Sequence, residues 1–256
     1  MSVSQPDHAL SGADGDCDRK PTGIAAALVG QVVGFLVGSL IVAGLFYDEK
    51  AKNKIQPGLL PVLAQFPFLW IGLLVSVLVV ARRRGESVGA LTAFRLVPRD
   101  TLYAVVGVAL QYGGGAIYVL FDKNDEAGQS AKELIDNARN NALGFFVLAA
   151  LVAVGAPLVE ELFYRGLVAR GFERLFSNKV SLSGSVITPA RLAIGVSALW
   201  FAAIHLQPLQ FPLLFVVGAV CAWLTLDRKR LGPAIFVHVG FNLTTVIALG
   251  FELMKK

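Results

Sequence analysis

Six stretches of this chain contain no Asp, Glu, Lys or Arg over 20 residues or more: Pro21–Tyr47, Ile55–Ala81, Thr101–Phe121, Asn140–Val159, Leu192–Leu226 and Leu231–Phe251. A helix rises 1.5 Å per residue and a bilayer core is about 30 Å thick, so roughly 20 such residues make one crossing. The run Leu192–Leu226 would measure about 52 Å as a single helix, too long for one span. His205-Leu-Gln-Pro-Leu-Gln-Phe-Pro212 interrupts it and predicts two helices with a tight break between them. Composition agrees, with 55% hydrophobic residues, 16% charged residues and a mean hydropathy of +0.64. The expectation is an all-α, polytopic membrane helix bundle of about seven transmembrane helices, multi-pass in the cell membrane.

The net charge of +5 need not mean a nucleic-acid partner, because cytoplasmic loops of membrane proteins carry excess Lys and Arg. With the N-terminus inside, 14 of the 23 basic residues fall on inner segments and 8 on outer ones, Arg165 lying within a helix. Arg82, Arg83 and Arg84 carry much of that bias, which favours a cytoplasmic N-terminus and an outer C-terminus. Residues 1–20 are polar and rich in Gly, Ser and Asp, which predicts a disordered cytoplasmic tail without the basic region of a secretory signal. A short tail follows at 252–256, and the polar segment 122–141 predicts an amphipathic surface helix on the outer face.

Cys17 lies in the tail and Cys221 in an apolar run, so they form no disulfide or metal pair, and His8 is expected to be solvated. Gly30, Gly34 and Gly38 recur every four residues, the spacing for close helix packing inside a bundle or, as a second reading, between copies. Gly113-Gly114-Gly115 follows no strand and precedes no Lys-Ser/Thr, so it is not a phosphate loop.

Against this apolar background a few polar residues stand out. Glu160 and Glu161 end the run Asn140–Val159, and Arg165 follows four residues after Glu161, on the same helix face. His205 ends Phe201-Ala-Ala-Ile-His205, and His238 and Asn242 share a face four residues apart. Acids inside a bilayer cost at least a few kcal/mol and face a wet cavity or a partner. Measured from inner boundaries near Arg170, Ala193 and Gly232, Glu160 and Asn242 lie about 15 Å deep, His205 about 18 Å and His238 about 9 Å. The four therefore share one half-membrane layer. Pro157 removes a backbone donor just before Glu160 and predicts a kink there.

Partial desolvation makes a carboxylate a stronger base, and a carboxylate with a histidine can hold and deprotonate water. A second histidine and an asparagine supply donors for an oxyanion. No Gly-x-Ser-x-Gly and no His-Glu-x-x-His motif occurs, which disfavours serine hydrolase and soluble zinc-protease chemistry. A proton-coupled transporter and a non-catalytic membrane scaffold also fit intramembrane acids, although no two-halved repeat is visible.

Glu160-Glu161-x-x-x-Arg165, Phe201-x-x-x-His205 and His238-x-x-x-Asn242, in this order, resemble the motif set of the CPBP family. These are the intramembrane proteases named for CAAX and bacteriocin processing, also called Abi proteins. The resemblance covers roughly Leu143–Leu249, and Glu160, Glu161, Arg165, His205, His238 and Asn242 are all present. It implies a catalytic bundle over 143–251, while the three membrane helices expected within 21–142 are read from the charge-free runs and carry no family signal. It further implies a glutamate-dependent endopeptidase acting on a membrane-embedded or lipid-tethered protein or peptide, with the CAAX name suggesting a prenylated one. Glu160 would be the general base, His205 would position the water, and His238 and Asn242 would form the oxyanion hole. Glu161 and Arg165 would brace the site, and a bacteriocin-immunity role is the family's non-catalytic alternative. Glu160, His205 and His238 also make a three-ligand set for zinc, and the same residues work without one.

Overall fold

A computed structural model describes residues 22–48, 54–55, 59–119, 141–179 and 187–254. The expected tail 1–20 with His8 and Cys17, the expected outer-face helix (Asn141 apart), and Lys255 and Lys256 lie outside these residues.

The expected runs are helices: α1 (Ile24–Phe46), α2 (Leu59–Arg84), α4 (Ala104–Val119), α6 (Pro189–Ile204), α7 (Phe211–Arg228) and α8 (Gly232–Met254). Between α2 and α4 lie a short helix α3 (Val88–Thr92) and a 3-10 turn (Pro98–Tyr103). Ser87 Oγ caps α3 by accepting from the Ala90 amide at 3.1 Å. A two-residue antiparallel pairing joins Tyr47–Asp48 to Lys54–Ile55 after α1.

The remaining helix, α5, is one continuous rod of five stretches. α-Helical Ala142–Ala150 gives way to a π stretch Leu151–Gly155, then to α-helical Ala156–Glu160, a second π stretch Glu161–Ala169, and α-helical Arg170–Lys179. Asn141 starts it by accepting from the Gly144 amide at 2.9 Å.

By length and composition five of these helices can cross a membrane: α1, α2 from Leu63, α5 from Ala142 to Ser177, α7 and α8. α4 and α6 are shorter at 16 residues each. α6 ends where the sequence places the break, with His205 as its last-turn cap and α7 starting at Phe211-Pro212. Leu206 in the break adopts a positive φ of 53°.

The outward face of α1 is apolar and exposed, including Leu28, Val32, Leu36 and Leu40, as expected of a lipid-facing helix. Its buried stripe is Ala27, Gln31, Gly34, Gly38 and Val42. Gly34 and Gly30 meet Gly72 of α2 so closely that a Cβ on Gly72 would run into the α1 backbone. The glycine repeat therefore packs α1 within the molecule, because only glycine leaves room for that approach. The core lies where α2, α5 and α6 meet, around Leu73, Val77, Phe163, Tyr164, Leu167 and Phe201. A second cluster joins α7 and α8 through Val217, Cys221, Ala234 and Val237.

Candidate active site

Pro157 shapes the rod at the site. The Ala156 amide donates to the Leu151 carbonyl, five residues back, so the ladder is π-type at this point. The next donor in that register would come from residue 157 to the Val152 carbonyl, and proline has none. Asn242 of α8 supplies it, its Nδ2 donating to Val152 O at 2.9 Å. The expected disturbance at Pro157 thus takes the form of a widened turn completed by a side chain from another helix.

Just beyond it, Glu161 and Arg165 are fully buried, with Arg165 Nη1 2.9 Å from Glu161 Oε1. That approach is off the N–H direction, since Nη1 makes no aligned hydrogen bond, so it is an ion pair rather than a directed bond. Arg165 Nη2 donates to Gly218 O of α7 at 3.3 Å. Gly218 lies against Ala198 and Phe201, and a Cβ there would meet Ala198 Cα at 3.1 Å. Its lack of a side chain lets α6 and α7 close over the guanidinium, which stacks 4.3 Å from the Phe201 ring centre.

Glu161 Oε1 also meets His238 Nδ1 at 2.8 Å. A carboxylate can only accept, so Nδ1 carries the proton, and Nε2 is the nitrogen left for other partners. Nε2 lies 4.0 Å from Glu160 Oε2. Here the structure departs from the simplest division of labour, in which Glu160 faces the histidines and Glu161 faces Arg165 alone. Glu161 Oε1 accepts from His238 Nδ1 and pairs with the Arg165 charge, so it serves both residues. Glu160 is left partly open, its side chain 14% exposed.

His205 is held separately, its Nδ1 2.7 Å from Phe201 O, so that Nε2 is its free nitrogen. The Phe201 ring lies between the two imidazoles, with centroids 4.7 Å from His205 and 5.7 Å from His238. Phe201 thus contacts Arg165, His205 and His238, a packing role that its place in the motif did not reveal. Glu160, Glu161, Arg165 and His238 are brought together directly, His205 joins through Phe201, and Asn242 joins through Val152. Sequence reasoning missed Gln31, Tyr164 and Trp200, which are hydrogen-bonded to one another beside the site. The one signal for Gln31 was an amide in a charge-free helix whose only other polar side chain is Ser39.

Zinc needs three protein ligands around one point. Among the described residues no group of three His, Cys, Asp or Glu side chains is disposed to hold a metal ion.

The family model described as type II CAAX prenyl endopeptidase Rce1-like matches residues 142–244, the span that holds all six motif residues. No curated protein and no solved structure matches the chain. The family match agrees with the resemblance carried by the motifs and with five helices able to cross a membrane. Over residues 142–244 the chain is similar to the Rce1-like family of type II CAAX prenyl endopeptidases.

Proposed function

We propose that this protein is an intramembrane endopeptidase in which Glu160 activates water against a peptide bond of a membrane-tethered protein. The observation that carries this reading is the placement of His238 between two carboxylates, Nδ1 on Glu161 at 2.8 Å and Nε2 facing Glu160 at 4.0 Å. The 4.0 Å gap is too long for a direct hydrogen bond, and one water at about 2.8 Å from each atom bridges it.

Such a water gives one proton to Glu160 as its oxygen bonds to the substrate carbonyl carbon. The carbonyl oxygen becomes the oxyanion. Asn242 commits one amide hydrogen to Val152 and keeps the second for that oxyanion. His238, anchored through Nδ1 by Glu161, turns Nε2 toward the same space. His205, with Nδ1 donating to Phe201, offers Nε2 as an acceptor that aligns the water. Collapse of the oxyanion breaks the C–N bond, and Glu160 returns its proton to the leaving amine. Arg165 and Glu161 hold His238 in place and do not touch the substrate. The six residues given roles here all fall within the expected catalytic bundle at 143–251, and the family description points to a prenylated C-terminal segment as substrate.

The test is cleavage of a lipid-tethered peptide in proteoliposomes holding the full chain. Glu160→Gln is nearly isosteric and should lower cleavage at least about 100-fold at unchanged melting temperature. Full activity in that variant would remove Glu160 as the base. Ion flux without cleavage in the wild type would favour the transporter.

A further inference from the structure

Phe201 touches the Arg165 guanidinium and both imidazoles, and it uses its backbone as well as its ring. The backbone contact begins with the way α6 ends. The His205 amide donates to Ala202 O, three residues back, at 3.4 Å, and the Leu206 amide to Ala203 O at 3.2 Å. This tightened turn withdraws the amide that a regular α-helix would give to Phe201 O. The His205 ring takes its place, with Nδ1 donating to Phe201 O at 2.7 Å. His205 therefore caps the helix that carries it, and the end of α6 decides that Nε2 is the nitrogen left as an acceptor. Leu206 then turns the chain away at a φ of 53°, a value that residues other than glycine rarely adopt.

The ring of Phe201 is buried. Arg165 Cζ lies 4.3 Å from its centre. The imidazoles of His205 and His238 lie 4.7 and 5.7 Å away, at interplanar angles of 64° and 89°. Tyr164 meets the ring edge-on at 5.2 Å, and a Cβ on Gly218 would lie 3.3 Å from Phe201 Cδ1. Such tilts and separations are those that aromatic pairs prefer. Leucine or methionine would also satisfy burial here, but neither offers a flat face to a guanidinium or fixed edges to two imidazoles. The groups around the ring are themselves held, Arg165 by Glu161 and Gly218 O, and His238 by Glu161. Phe201 is the contact that Arg165, His205 and His238 share.

We propose that Phe201 is a positioning residue that sets the separation and tilt of the two imidazoles. It acts on His205 through its carbonyl and ring, and on His238 through a ring seated on Arg165. The kinetic consequence rests on the protease reading above, while the orientation of the rings does not.

The experiment is nuclear magnetic resonance of the full protein with isotope-labelled histidine at one fixed pH, since the chain holds three histidines only. The Nδ1–H protons of His205 and His238 should each give one low-field signal, assigned by its loss in His205→Gln or His238→Gln. Phe201→Leu should broaden or split both signals, because each imidazole then samples more than one orientation. In the cleavage assay the same variant should lose on the order of 100-fold in kcat, as a misplacement of about 1 Å costs, with KM unchanged. Loss of packing alone would lower the melting temperature and leave both signals and kcat per folded molecule in place. Phe201→Met fills the same space with a flexible chain and decides the matter where Phe201→Leu fails to fold. Unmoved signals in the variant that folds overturn the proposal, and so do disturbed signals with an unchanged kcat. Disturbed signals in a protein whose wild type cleaves nothing keep the role of Phe201 and remove the protease. A wild type that cleaves, with signals and kcat unmoved in the variants, does the reverse.

Discussion

Two buried acid–arginine pairs occupy different regions of this molecule, and they are finished differently. Asp100, in the turn before α4, is fully buried and receives the Val97 amide at 3.0 Å and Arg230, which is itself 21% exposed. The Leu231 amide donates to Ala93 O at 3.1 Å beside it, so the pair latches the α7–α8 junction to the loop after α3. Glu161 and Arg165 sit in the interior of the bundle with no exposure at all. Among the described residues Glu161 Oε2 and Arg165 Nε have no hydrogen-bond partner. An unsatisfied buried polar atom costs about 1–3 kcal/mol and calls for an explanation. At the junction the charges close a turn. In the interior, part of the satisfaction is given up, and the acid is shared with His238. That difference separates a pair that holds the fold from a pair that holds the His238 imidazole.

The comparison breaks first at Arg165. Arg165→Met leaves Glu161 buried with only His238, and should cost about 3–5 kcal/mol of stability together with cleavage. Adding Glu161→Gln removes the stranded charge, so thermal unfolding of the double variant should recover part of that loss while cleavage stays absent. Recovery of both would make the interior pair structural, like the one at the junction. Asp100→Asn should cost less, about 2 kcal/mol, because Arg230 reaches water and the Val97 amide keeps an acceptor. Its cleavage rate per folded molecule should stay within about two-fold of wild type. A larger fall would mean that the latch sets the position of His238, eight residues along from Arg230, and the two regions would no longer be separable.

Much of the site was legible because membrane helices carry few polar residues. Glu160, Glu161, Arg165, His205, His238 and Asn242 stand out by cost alone, and four-residue spacing assigns Arg165 to Glu161. The break after His205 was legible from Gln207-Pro208 within a run too long for one span. What was not legible depends on contacts between distant helices. Gln31 meets Trp200 across 169 positions and Tyr164 across 133, and no local pattern records such a meeting. That Glu161, rather than Glu160, takes His238 depends on how α8 crosses α5. The π stretches were hidden because Pro157 signals a missing donor but not whether the rod kinks or widens in response.

The smallest expected effect tests that last point. Pro157 leaves the Val152 carbonyl without a backbone donor, and Asn242 fills the gap, so proline and asparagine are two halves of one local solution. Asn242→Ala should cost about 1–3 kcal/mol by stranding the carbonyl. Pro157→Ala restores an amide in register with Val152, so Asn242→Ala should cost about 1 kcal/mol less in that background than in wild type. Thermal unfolding of the four proteins gives the coupling, and strict additivity would mean that Asn242 does not stand in for the missing amide. Cleavage then separates the two amide hydrogens. With stability recovered in the double variant, activity that remains about 10-fold low assigns the second hydrogen to the oxyanion. Activity that returns with stability makes Asn242 a brace for α5, and the site would then belong to the glutamates and histidines alone.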